Sequence, residues 1–175
     1  MEGMDTLGYE GDTGEPLSDA LIKRLISVDK LLDNPRCASY REPEPGKKVE
    51  VPLHSAENPR ISFALGLFQG IRSSKVTLDF DSTRKVSMHT RRASHTLVRV
   101  DLGEVRHTNP DGQVIDGPHI HIATEEYGDR MAYPLSEQNI LVISGGVMTP
   151  MVVFEAFREY CHIDGRLMVE WSLGV

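Results

Sequence analysis

The chain has no apolar run approaching the roughly 18 residues that a membrane helix needs. Its acidic N-terminus lacks the basic and apolar regions of a secretory signal, so a cytoplasmic location is expected. Cysteine is scarce. Cys37 and Cys161 lie far apart, too few for a disulfide framework and without metal-ligand spacing, and both are read as reduced packing thiols. No internal repeat or low-complexity segment occurs. No stretch matches a motif with a single known mechanism.

What is present is ordinary in amount and uneven in placement. A chain of 175 residues with 39% hydrophobic and 26% charged residues is long enough to bury a core as one domain. Met1 to Asp19 holds six acidic residues and no Lys or Arg. Between Arg60 and Thr108 there are nine Lys or Arg against four acids, and from Asn109 onward ten acids against three basic residues. A basic block inside a chain of net charge −7 is a candidate anion-binding surface, because local potential governs encounter more than net charge does. The plainer reading is a mixed, solvated sheet face.

Residues 1–15, Gly-rich and acidic without an apolar period, are read as a flexible tail, and 16–175 as one α+β domain. Ser18 offers an N-cap. Leu21, Leu25, Val28 and Leu32 then form a stripe predicting a helix over Leu17 to Leu32, with Lys23, Arg24 and Lys30 facing water. Arg41 to Lys48 is a connector. From Lys48 the period changes to two: Val49 and Val51; Ile61, Phe63, Leu65 and Leu67; Val76, Leu78 and Phe80; Val86 and Met88; and Val98, Val100 and Leu102 all alternate. Arg91-Arg92 reads as a loop. Thr149-Pro150 starts a second helix running to Cys161, Trp171 reads as core, and LMVEWSL is a last strand. The expected fold is a twisted antiparallel meander with a helix near each end packed on its apolar face.

The densest chemistry lies between Arg106 and Leu135. Asn109-Pro110-Asp111-Gly112 is turn chemistry, expected to form a hairpin between the Leu102 strand and the next one. In that next strand His119 and His121 share one face and Ile120 and Ile122 the other. With one bulged residue in the hairpin, Asp101 falls opposite His121 and Arg99 near Ala123. Lys75, Thr77 and Asp79, with Lys85, Ser87 and His89, extend the same polar face. A His-X-His pair is often just hydrogen-bonded within a hairpin. No dedicated cofactor is expected, although a divalent metal at His119 and His121 stays open, with His107, Asp101 or Asp129 as third ligand. Glu125 to Asp129 has the plain reading of a solvated turn.

The segments HTNPDG, PHIHI, EYGDRMAYPL and FEAFREYCHI, spanning Arg99 to Ile163, resemble an uncharacterised group of small bacterial and prophage-borne proteins. The resemblance implies a mobile-element setting and a conflict function, such as a toxin or an anti-defence factor, and assigns no residue a role. Two functions follow. One is a metal-independent ribonuclease-like enzyme: His119 and His121 serve as general base and acid, Arg99 and Arg130 stabilise the phosphate, and Tyr127 positions the substrate. Lys75, Lys85, Arg91, Arg92 and Arg106 would contact nucleic acid. The other is a non-catalytic inhibitor, or cognate partner, that occupies a host protein's nucleic-acid site with its acidic surfaces. Neither involves a membrane.

Overall fold

Ser18 starts the first helix: its Oγ accepts the Leu21 N–H at 3.3 Å, satisfying one of the free amides of the first turn. In the computed structural model, which describes residues 16–71, 85–136, 140–146 and 148–172, helix α1 is Asp19–Ser27. It is shorter than the apolar stripe predicts. Val28 is already extended (φ −71°, ψ 138°), and Lys30–Leu32 is strand β1, paired antiparallel with β3, Lys48–Ser55. Leu32 satisfies the helical period and the strand alternation alike, so spacing alone did not separate them.

Lys30 corrects a second expectation. It faces the interior at 1% exposure rather than water. Its ammonium donates to the carbonyls of Ile26 and Val28 at 2.9 Å each and of Cys161 at 2.8 Å, and lies 4.9 Å from the centre of the Phe63 ring. Three donors thus meet three acceptors at the C-terminal ends of both helices, where carbonyls lack intrahelical partners and positive charge suits the dipole. Burial lowers its pKa to about 8, so the group is still mostly charged at neutral pH.

The second helix, α2, is Pro150–Tyr160, with Thr149 Oγ1 accepting the Val152 N–H and Pro150 in the first turn. Between the helices lie β2 (Ser39–Arg41), β4 (Ser62–Gln69), β5 (Val86–Arg92), β6 (His95–Leu102), β7 (Arg106–Thr108), β8 (Val114–Asp116), β9 (His119–Ile122) and β10 (Ala132–Pro134), and β11 (Met168–Glu170) follows α2. A seven-stranded antiparallel sheet has the order β1-β3-β4-β5-β6-β9-β10, while β7-β8 and the parallel pair β11-β2 stand apart. Val51, Leu53, Leu65, Leu67, Val98, Val100 and Ile120 are buried in one cluster with Ile22, Leu25 and Ile26 of α1 and Val153, Phe154 and Phe157 of α2. Trp171 packs against Phe154, ring centres 5.8 Å apart.

Other expectations are revised. The NPDG hairpin does not link two strands of the main sheet. It closes its own ribbon, β7-β8, and β6 pairs directly with β9. Arg91 and Arg92 belong to β5, not a loop, and Arg41 and Lys48, the two ends of the predicted connector, belong to the strands Ser39–Arg41 and Lys48–Ser55. Cys161 is buried, but Cys37 is exposed, with the Asn34 amide 3.3 Å from its sulfur. The predicted strand at Val76 to Phe80, with Lys75, Thr77 and Asp79, falls outside the described residues.

Candidate functional site

The polar face carries two parallel rows. Pairing aligns Gly66, His89, Arg99, His121 and Ala132 across β4, β5, β6, β9 and β10, and two residues along it aligns Phe68, Ser87, Asp101, His119 and Pro134. His119 and His121 therefore share a face with Arg99 and Asp101, as the alternation requires once Ile120 is buried. The register differs from the expected one by two residues: Asp101 opposes His119, and Arg99 opposes His121. A slip of two preserves the face.

The face is not open where the histidines lie. The β7-β8 ribbon lies against β9 and β10, bringing His107 to 4.6 Å (ring centres) from His121 and 5.6 Å from His119. His119 is 2% exposed and His121 0%. One ring nitrogen from each of His107, His119 and His121 lies within 4.8 Å of the others, close enough for the three to share a metal. Asn109 anchors the ribbon: its amide donates to the Ala132 carbonyl at 2.9 Å and accepts the Ala132 N–H at 2.8 Å. In the sequence Asn109 stands out only as a turn former.

Arg99 is the hub of the charges. Its Nε donates to Asp101 Oδ2 at 3.1 Å, its Nη1 to Asp129 Oδ2 at 3.0 Å and its Nη2 to His121 Nε2 at 2.9 Å. Asp101 Oδ2 also lies 3.4 Å from His121 Nε2 and 3.5 Å from His119 Nε2. Burial alone would raise the Asp101 pKa. Its contacts with His119, His121 and Ser87, with the Arg99 charge, outweigh it and hold the carboxyl well below the usual range. Burial and Arg99 push His121 the other way, favouring the neutral ring against the pull of Asp101. His89 is likewise lowered, by burial, then by Arg91 and Arg99.

Of the predicted catalytic residues, His119, His121 and Arg99 meet. Arg130 contributes its backbone carbonyl to His107 Nε2, while its guanidinium bonds the Tyr127 carbonyl. The Tyr127 phenol is hydrogen-bonded to Glu126, which raises its pKa, and is no part of the cluster. Asp129 does not belong to a merely solvated turn, since its carboxylate holds Arg99 and its carbonyl His121. Among the predicted nucleic-acid contacts, Arg91 is paired with Glu50 at 2.8 Å and exposed Arg106 lies 3.8 Å from Asp116. Arg92 ends β5 opposite His95, and Lys75 is outside the described residues. Lys85 is exposed. It lines a surface cavity of about 380 Å³ together with Phe68, Ser87, Arg99 and Asp101. Phe68 was missed, although a phenylalanine out of phase with Phe63, Leu65 and Leu67 was the signal.

Gly66 shows how closely this face is built. A Cβ there would sit 2.3 Å from Cε1 of His89, so the bare backbone is what leaves room for the imidazole. Gly66→Ala is expected to cost about 1–3 kcal/mol, by analogy with overpacked cores, and to displace His89; urea unfolding and the His89 ring proton shifts test it.

Neither a curated protein nor a solved structure matches the chain. A family profile does, over residues 17–163, a span that runs from the start of α1 to the residue after His162 and takes in all of the sheet and the histidine cluster. The chain belongs to this family, DUF6978, a family of unknown function.

Proposed function

We propose that the chain binds single-stranded RNA in the cavity on the polar face, acting in the cytoplasm in a conflict between a mobile element and its host. Both helices are read as backing the apolar face, which leaves the opposite one for a ligand. The observation that carries the reading is Phe68. It is 43% exposed on that face and lines one cavity with Lys85, Ser87 and Arg99. An exposed ring flanked by cations suits an unpaired base and its phosphate, since every base has a π-face and stacking contributes about 1–3 kcal/mol. A duplex, with its bases already stacked, gains less from such a ring.

Cleavage would need more than binding. Arg99 lines the cavity and also touches His121, so a phosphate held at Arg99 is one side chain away from the histidines. Those rings are sealed under the β7-β8 ribbon, and a general acid–base role for His119 and His121 requires the ribbon to lift.

Fluorescence anisotropy with a labelled single-stranded RNA at two salt concentrations tests the binding. Phe68→Ala is expected to weaken it about tenfold, and Lys85→Ala to flatten the salt dependence by about one contact. Val142→Ala, at an apolar residue 83% exposed elsewhere, should change nothing. No binding at low salt by folded, monodisperse protein would overturn the reading and leave a partner-binding inhibitor as the better account.

A further inference from the structure

The three histidines share one detail beyond their proximity. His107 Nε2 bonds the carbonyl of Arg130, His119 Nδ1 that of Gly117 and His121 Nδ1 that of Asp129, each at 2.8 Å. A carbonyl only accepts, so in every case the named nitrogen carries the proton. Each neutral ring then keeps one lone pair, on Nδ1 of His107 and on Nε2 of His119 and His121. Fixing the tautomer through a main-chain acceptor is what metal-ligating imidazoles ordinarily require. Three independent carbonyls do it here, from the Gly117 turn, the Asp129 turn and the residue beyond it.

We propose that His107, His119 and His121 bind one zinc-like divalent ion, with Asp101 as the fourth ligand, and that the ion staples the β7-β8 ribbon onto the main sheet. Imidazole nitrogens with one carboxylate form a donor set suited to zinc, at bond lengths of about 2.0–2.2 Å. Nitrogens within 4.8 Å of one another need to draw in by up to about 1.5 Å to reach the spacing of a tetrahedral site, through rotation of the rings and movement of the ribbon that carries His107. Asp101 Oδ2, 3.4 and 3.5 Å from two of the lone-pair nitrogens, already faces the position. Arg99 is the place-holder. Its Nη2 takes the His121 lone pair, and its Nη1 already bonds Asp129, so on metal entry the guanidinium can release His121 and Asp101 and stay held by Asp129.

The role is structural, because the ligands come from three segments and the site is closed. His107 rides on a two-stranded ribbon of three residues a side, too short to be stable alone. His119 and His121 are rigid members of β9, and Asp101 belongs to β6. A ribbon joined to the sheet by Asn109 at its turn and by a metal at His107 is fixed at two points. The inference does not depend on RNA binding, since it is read on the protein by itself.

The full chain, stripped with chelator and dialysed, would be titrated with Zn²⁺, followed by elemental analysis and thermal unfolding, with Co²⁺ as an absorbing substitute. One equivalent per chain is expected, with a rise in Tm and the visible absorption of four-coordinate cobalt. His107→Ala should weaken binding at least about 100-fold, because a ligand matters more than the outer contacts, whose loss costs 10–100-fold. It is the least buried of the three, so its variant should fold; His119→Gln and His121→Gln serve as further ligand losses. Asp101→Asn should keep zinc bound but shift the cobalt spectrum. His54 and His162, paired with Asp33 and Asp29, are the controls, and their Ala variants should bind normally. Substoichiometric zinc, or zinc whose affinity is indifferent to His107→Ala, overturns the proposal.

Discussion

Lys30→Met is expected to lower the unfolding free energy by about 3 kcal/mol at pH 7.5, measured by urea denaturation. Methionine restores apolar volume over Phe63 but leaves the carbonyls of Ile26, Val28 and Cys161 without donors, and each unsatisfied buried group costs about 1–3 kcal/mol. Relief from burying a charge offsets part of the loss. The pH dependence identifies the cause. The folded ammonium has a pKa of about 8 against 10.5 for the ordinary group, so between those values the unfolded chain holds more protons than the folded one. The Lys30 contribution therefore rises as pH climbs from 8 to 10.5, by about 3 kcal/mol over the 2.5 units between the two pKa values. The Cys161 thiol, raised by burial beside it, slopes the opposite way above its ordinary value. Comparison with the variant, which keeps Cys161, cancels that slope: the gap between wild type and Lys30→Met should widen from pH 8 to pH 10. A gap that stays constant would show that the lysine is not titrating in the interior.

The parts of this fold legible in the sequence are those set by local chemistry. Ser18 and Thr149 cap the two helices because a hydroxyl before a helical run has free amides to accept from. The strands from Lys48 to Leu102, among the described residues, follow their alternation. The shared face of His119 and His121 follows from burying Ile120. What was not legible depends on contacts distant in sequence. Lys30 is inside because the end of α1 and the end of α2 converge on it, the latter through Cys161, 131 residues along the chain, and no local period carries that information. The register between β6 and β9 was two residues off because the turn taken as their link closes a separate ribbon. That same ribbon turns an open polar face into a sealed cluster. Thus the common face of Arg99, Asp101, His119 and His121 could be read from sequence, whereas their burial could not.

Asn109→Ala is expected to lower stability by about 3 kcal/mol and to loosen the β7-β8 ribbon ahead of the rest of the domain. The Asn109 side chain acts as a strand neighbour for β10. Ala132 pairs with His121 on one side and meets the Asn109 amide on the other, where both its N–H and its carbonyl are engaged. Asn109 is 3% exposed and Ala132 1%, so water does not replace the lost partners, and two buried groups at about 1–3 kcal/mol each give the estimate. Asn109→Asp keeps the acceptor, loses the donor and should fall between. Loosening should appear in amide hydrogen exchange at Ile115, buried in the ribbon, before it appears in β4 or β5. The same variant separates the two roles of the cluster. If the ribbon is a lid over acid–base histidines, opening it should raise any RNA cleavage above wild type. If the ribbon is stapled by a metal, opening it should weaken zinc binding and leave unchanged any RNA binding at Phe68 and Lys85, on the opposite flank of Arg99.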